Sequence, residues 1–244
     1  TGTINVSNLS ISNLTGIEAF TLLTELNCSG NALTSLNVSS NTLLTILDAT
    51  GNQLASLNVS SNTALFRLRC GGNQLTSLNV SANTALQELF CHGNQLTVLD
   101  ISANTALTSL FCEFNQLTSL GVSTNTALQY VDCYNNQITS LDFSGNPALY
   151  FLNCNTNQLT ALNVQNGNNS NFTGLLALNN PALICIQVDN VAYSNTNWSA
   201  GKDAGATFSL TCPLSTPAAA LNFDGANDRA VVTNSNVNLA NRSF

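Results

Sequence analysis

The chain has 244 residues, 44% of them apolar, and carries 5 Lys and Arg against 12 Asp and Glu for a formal net charge of -7. So few basic side chains exclude a nucleic-acid partner, whose phosphates need clustered cations. No uninterrupted apolar run is long enough to span a bilayer, which excludes a transmembrane helix.

The opening stretch TINVSNLSISNLTGIEAF supplies apolar side chains at Ile4, Val6, Ile11, Leu14, Ile17 and Phe20. It reads as an irregular first turn over residues 1–22, with a short helical piece near Gly16 to Phe20. It offers no dedicated cap, although the exposed end of a repeat array needs one. We therefore expect a further domain before Thr1.

From residue 23 to residue 166 the chain repeats itself. A cysteine returns at Cys28, Cys70, Cys91, Cys112, Cys133 and Cys154, with Ala49 in the vacant slot. An asparagine three places later returns from Asn31 through Asn52, Asn73, Asn94, Asn115 and Asn136 to Asn157. A fixed period of this length is the mark of a solenoid. Each Leu-x-Cys or Leu-x-Val triplet alternates apolar and polar, so it reads as a short strand with one buried face. Stacked turns would bring such strands into parallel sheets about 4.8 Å apart. The interior asparagines read as ladders whose amides satisfy backbone groups where the chain bends.

The pattern LxxLxCxxNQLTxLxVSxNTx resembles the leucine-rich repeat in its 21-residue nested form, over roughly residues 4 to 166. The resemblance implies a mostly β, right-handed parallel solenoid of about seven to eight turns. It also implies an extracellular bacterial setting, secreted or attached to the cell surface, with ligands taken on the concave first-strand face. Some proteins of this kind are exported by the type IX route.

After residue 166 the period breaks in the polar loop QNGNNSNFTG, and a degenerate turn follows with Leu183, Ile186 and Val188 in the apolar places. Residues 167–212 read as a capping segment similar to those closing bacterial repeat proteins, with Tyr193, Trp198 and Phe208 to seal the last turn. Cys185 and Cys212 lie outside the ladder, and an oxidising extracellular setting favours their pairing. The ladder thiols are expected to stay reduced. Residues 213–244 read as a linker and a truncated stub, ALNFDGANDRAVVTNSNVNLANRSF, resembling the opening strands of a laminin-G or concanavalin-like domain. Such a domain needs more strands than this, so further chain is expected after Phe244.

One run, LQELFCHGNQLTVLDISANTA, gathers Glu88, Cys91, His92 and Asp100, the residue types of thiol nucleophiles and zinc sites. Adjacent residues of a strand point to opposite faces. A core-facing Cys91 therefore cannot cooperate with His92, and a buried cysteine behaves as a small hydrophobe. We read no enzyme, no metal site and no cofactor.

The informative positions flank the Leu-x-Cys core. Along successive turns they run Arg67-Arg69-Gly71, Glu88-Phe90-His92, Ser109-Phe111-Glu113, Tyr130-Asp132-Tyr134 and Phe151-Asn153-Asn155. The matching places of the second half-repeat are nearly uniform, as in Ser35-Asn37-Ser39 and Ser56-Asn58-Ser60. Arg67 beside Glu88, Asp48 beside Arg69 and His92 beside Glu113 would neutralise one another laterally. Phe90 next to Phe111, and Tyr130 next to Phe151, have no such explanation. Clustered exposed aromatics mark binding surfaces. Flat rings suit stacking on sugars or anchoring a protein, with Arg69, Glu113, Asp132 and Asn153 supplying hydrogen bonds. Because these side chains point away from the core, replacing Phe111 and Tyr130 by serine is expected to keep the melting temperature. The chain thus reads as a non-catalytic extracellular recognition or adhesion module for a protein or glycan. The alternatives are a passive spacer and an accessory module of a secreted polysaccharide-degrading enzyme.

Overall fold

A computed structural model describes residues 2–213. The stub over 214–244 lies outside the described residues. The fold is a mostly β parallel solenoid of about ten turns. Its first sheet has nine strands, each three residues long. They are β1 (Thr3–Asn5), β2 (Glu25–Asn27), β3 (Ile46–Asp48), β4 (Arg67–Arg69), β5 (Glu88–Phe90), β6 (Ser109–Phe111), β7 (Tyr130–Asp132), β9 (Phe151–Asn153) and β11 (Gly174–Leu176). Register is kept by whole turns, so that Leu47, Leu68, Leu89, Leu110, Val131 and Leu152 stack in one file.

The array is longer than the seven to eight turns read from the sequence, at both ends. The first turn is irregular only in part: it lays Thr3–Asn5 along Glu25–Asn27 as a true strand, and turns through a 3-10 helix at Ile17–Ala19. At the other end Gly174–Leu176 adds a strand inside what reads as loop and cap.

The second sheet has four strands, β8 (Ser140–Asp142), β10 (Ala161–Asn163), β12 (Cys185–Gln187) and β13 (Thr207–Ser209). Earlier second half-repeats run extended without a strand ladder. Gln N–H groups tie those turns together at the corner instead, as from Gln74 to Leu54 O at 2.9 Å and Gln95 to Leu75 O at 2.9 Å.

Leucines from every turn, the six ladder cysteines and Ala49 form one continuous core, nearly all fully buried. Each such leucine contributes roughly 1.5–3 kcal/mol. A turn has nothing to bury them against except its neighbours, so the fold exists only as a stack.

Two asparagine ladders run through this core. In the first, Asn94 donates from Nδ2 to Cys70 O and Cys91 O, both at 3.0 Å, and its Oδ1 accepts the Leu75 N–H at 2.9 Å. In the second, Asn104 donates to Val80 O at 3.0 Å and Asn83 O at 2.8 Å, while its Oδ1 has no partner. The first ladder satisfies cysteine carbonyls that receive no backbone N–H, which burial requires, whereas the second adds a donor to carbonyls already bonded by the Asn83 and Leu86 N–H groups.

The closing turns pack around Trp198, which is 2% exposed and donates its indole N–H to Phe172 O at 3.0 Å. Phe172 and Phe208 meet its ring edge-on, 5.0 and 6.1 Å away. Helix α1 (Val191–Asn197) begins at Asn190, whose side chain accepts the Tyr193 N–H at 3.0 Å. A disulfide joins Cys185 to Cys212, and the six ladder cysteines are free.

Candidate functional site

The first sheet carries its variable side chains on the outer face. All strands from β2 to β7 and β9 bury the central residue and leave the two flanking residues half-exposed. Cys91 is fully buried and His92 half-exposed, so the thiol and the imidazole face opposite ways. Burial by apolar neighbours pushes the Cys28 and Cys70 thiols up to about 12, and Cys91 well above its ordinary value. These thiols are inert. Asp100 sits exposed on the second half-repeat, away from His92. Among the described residues no group of three His, Cys, Asp or Glu side chains is arranged to hold a metal.

The left part of the face is electrically closed. Arg67 grips Glu88 in a fork, Nε to Oε2 at 2.5 Å and the second nitrogen to Oε1 at 2.7 Å. This pairing holds the Glu88 carboxyl below its usual range. Arg69 reaches Asp48 at 3.7 Å and lies 4.9 Å over the Phe90 ring.

The right part is aromatic. Phe90, Phe111, Tyr130 and Phe151 form one unbroken column with centroids 4.5, 4.8 and 4.4 Å apart and ring planes within 8°, 23° and 9°. The column crosses the sheet, because Phe111 is paired in register with Asp132 and Tyr130 with Ser109. The rings are half-buried by one another, which the alternation of the sequence does not reveal. Replacing them therefore removes stacking as well as surface, contrary to the expectation that serine at 111 and 130 leaves the melting temperature unchanged.

Beside the column stand His92, Glu113 and Asp132. His92 Nδ1 and Glu113 Oε1 are 3.9 Å apart, too far for a hydrogen bond, and both Nδ1 and Glu113 Oε2 are shut from solvent without a partner. Burial pushes Glu113 up to about 7, with the charge of Asp132 adding to it. Burial also raises Asp132, against the Tyr134 N–H at 3.1 Å and the Asn153 amide at 3.2 Å, and lowers His92.

Two exposed aromatics escape a reading based on strand columns. Tyr150 precedes β9 and meets Tyr130 edge-on at 6.3 Å. Phe114, 49% exposed, meets Tyr134 edge-on at 5.0 Å. Phe114 occupies the left-handed position, φ 55°, which Gly30, Gly51, Gly72 and Gly93 fill in four preceding turns. A bulky residue replacing that glycine was the available sequence signal.

Residues 126–180 match the family model described as Leucine Rich repeats (2 copies). No curated protein matches the chain. Among solved structures, a leucine-rich repeat protein of Leptospira interrogans is 20% identical with a TM-score of 0.61, over 82% of this chain and 63% of that one. An internalin, inlF of Listeria monocytogenes, is 20% identical with a TM-score of 0.59, over 86% and 67%. The functional domain of InlJ from Listeria monocytogenes, whose description includes a cysteine ladder, is 26% identical over 77% and 59%, with a TM-score of 0.43. The chain thus spans about three-fifths of the length of the first solved structures it matches. The family match is confined to residues 126–180, and the likenesses to the Leptospira and inlF structures show a shared leucine-rich repeat fold.

Proposed function

We propose that the chain is a non-catalytic recognition or adhesion module of a secreted or surface-attached protein, binding a protein or glycan through the first-strand face between Arg67 and Asn155. One observation carries the reading. The first-strand face gathers four stacked rings and two half-buried carboxylates, whereas the second half-repeat presents a nearly uniform Ser and Asn surface. An outer face that only needed solubility would have no use for that difference. The extracellular setting is supported by the Cys185–Cys212 disulfide, a bond that persists in oxidising compartments.

A passive spacer is the second reading, and one observation favours it. The rings satisfy each other's faces, and the arginines are neutralised within the sheet.

Parallel protein and glycan arrays probed with the parent and with Phe111→Ser/Tyr130→Ser separate the two. The recognition reading expects ligands of the parent that the variant loses while circular dichroism shows it folded. Identical profiles, or no ligand on either array, would establish the spacer.

A further inference from the structure

His92 is the single histidine of the chain. Its ring lies over Gly71 of the preceding turn, where an added Cβ would stand 2.7 Å from Nδ1. Only glycine leaves the imidazole this seat. The seat holds the ring beside Glu113 of the following turn, with Nδ1 3.9 Å from Oε1. Nδ1 and Glu113 Oε2 are both shut from solvent, and neither has a partner. A water joined to both groups by bonds of about 2.8 Å would hold them about 4.5 Å apart, so the gap is too narrow for one. A direct bond needs a closure of only about 1 Å. The broad terminal torsion of a glutamate supplies it.

Such a bond takes one hydrogen between the two groups, and it can run either way. With Glu113 ionised, the imidazole carries its hydrogen on Nδ1 and donates to the carboxylate. With Glu113 protonated, the O–H donates to Nδ1, and the imidazole hydrogen sits on Nε2. Nε2 is the ring nitrogen that is not shut in, on a side chain 35% exposed.

We propose that His92 and Glu113 form a one-proton relay that reverses the hydrogen-bonding sense of the exposed Nε2. A solvent proton binds Nε2, the Nδ1–H bond breaks, and that hydrogen passes to Glu113 as a new O–H bond. The pair gains one proton and ends as a neutral imidazole beside a carboxylic acid. Nε2 accepts before the step and donates after it. The device needs no ligand and so goes beyond the recognition reading: any group set opposite Nε2 is accepted or refused according to pH.

The surroundings favour the uncharged acid form. Burial pushes Glu113 up to about 7, and the negative charge of Asp132 adds to it. Asp132 also favours a charged imidazole, but burial outweighs it and His92 stays below its ordinary value. Tyr130 and the thiols of Cys91, Cys112 and Cys133 are all raised and remain neutral. Glu88, on the strand that leads to His92, is held by Arg67, and Arg69 is turned to Asp48. Tyr134, next in file after Glu113, gives its backbone N–H to Asp132. The relay therefore turns over near pH 7.

Nitrogen-15 NMR of the whole labelled chain tests this, because one histidine gives one pair of ring signals and their shifts report which nitrogen carries hydrogen. Between pH 8.5 and pH 6 the hydrogen should move from Nδ1 to Nε2 with a midpoint near pH 7, and no imidazolium should appear over that range. Glu113→Gln, folded by circular dichroism, should hold one tautomer through pH 7. Gly71→Ala should unseat the ring, abolish the exchange and return His92 to an ordinary midpoint near 6.5. An imidazolium forming near pH 6.5 in the parent, one tautomer at both ends of the range, or an exchange that survives in Glu113→Gln would each overturn the relay.

Discussion

Phe111 and Tyr130 stack at 4.8 Å although they belong to different columns of the sheet, and this contact joins two aromatic pairs into one. Without it the face would carry two separate hydrophobic islands. Phe111 touches a ring on either side, so Phe111→Ser removes two stacking contacts worth about 0.5–1.5 kcal/mol each. We expect a loss of about 1–3 kcal/mol in chemical denaturation, with the core leucines still buried. A variant as stable as the parent would show that the stack is not held in solution.

The two asparagine ladders differ in what they leave behind when cut. Asn94→Ala strands the Leu75 N–H, while Cys70 O and Cys91 O keep the Asn73 and Asn115 amides; Asn104→Ala strands nothing, because Val80 O and Asn83 O keep the Asn83 and Leu86 N–H groups. At about 1–3 kcal/mol for each stranded group, Asn94→Ala should be the more damaging by roughly one such increment. Equal losses in denaturant titrations would contradict the assignment of the two rungs.

Glu113 titrates with a folded pKa of about 7 against an ordinary 4.5. A folded value above the unfolded one gives a contribution to stability that is complete below pH 4.5 and lost as pH rises through 7. His92 runs the other way, losing stability as pH falls below its ordinary 6.5. The difference between the parent and Glu113→Gln isolates the first effect. The melting temperature of the variant relative to the parent should rise between pH 5 and pH 8, and parallel profiles would refute the burial of this carboxyl.

Phe114 holds a left-handed backbone that costs a non-glycine residue about 1–2 kcal/mol. Loss of its edge-on contact with Tyr134 offsets part of that. Phe114→Gly should therefore be neutral to about 1 kcal/mol more stable, yet bind ligands of the parent less well. A destabilised variant would mean that Phe114 serves the fold.

Cys185 and Cys212 enclose the only tryptophan, which makes fluorescence a local probe of the closing turns. Cys212→Ser should cost roughly 3–4 kcal/mol in the chain-entropy picture, read first at Trp198 and later in far-UV circular dichroism. Alkylation of the unreduced, denatured parent should label the six ladder thiols. Eight labelled thiols would exclude the bond.

Much of this architecture was legible from the period. Regular spacing predicts which leucines, cysteines and asparagines face inward, and the core and first ladder follow. Strand β11 was hidden because its turn is two residues longer, setting Asn180 at 23 rather than 21 residues after Asn157. Phe172, Ala177 and Asn180 keep the pattern, with phenylalanine for leucine and alanine for cysteine. Residues 67–153 were readable as a varied face, and the lateral charge pairs follow from register alone. The closed aromatic column was not, because alternation says which face a ring is on and nothing of its rotamer. Phe114 was missed for a related reason: it lies past the strand, in a bend whose backbone no hydrophobic pattern describes.

Each rung of the first ladder addresses the turn behind it through main-chain atoms alone. A carbonyl is the same whatever side chain its residue bears, so this ladder does not distinguish one neighbouring turn from another. Where facing turns carry only plain Ser and Asn, adding or excising 21 residues would lengthen or shorten the stack by about 4.8 Å without creating a new kind of joint. Length and the proposed recognition face thus become separately adjustable, with turns of plain Ser and Asn as filler and the few turns around Phe111 and Tyr130 as the portion that the proposed function requires intact.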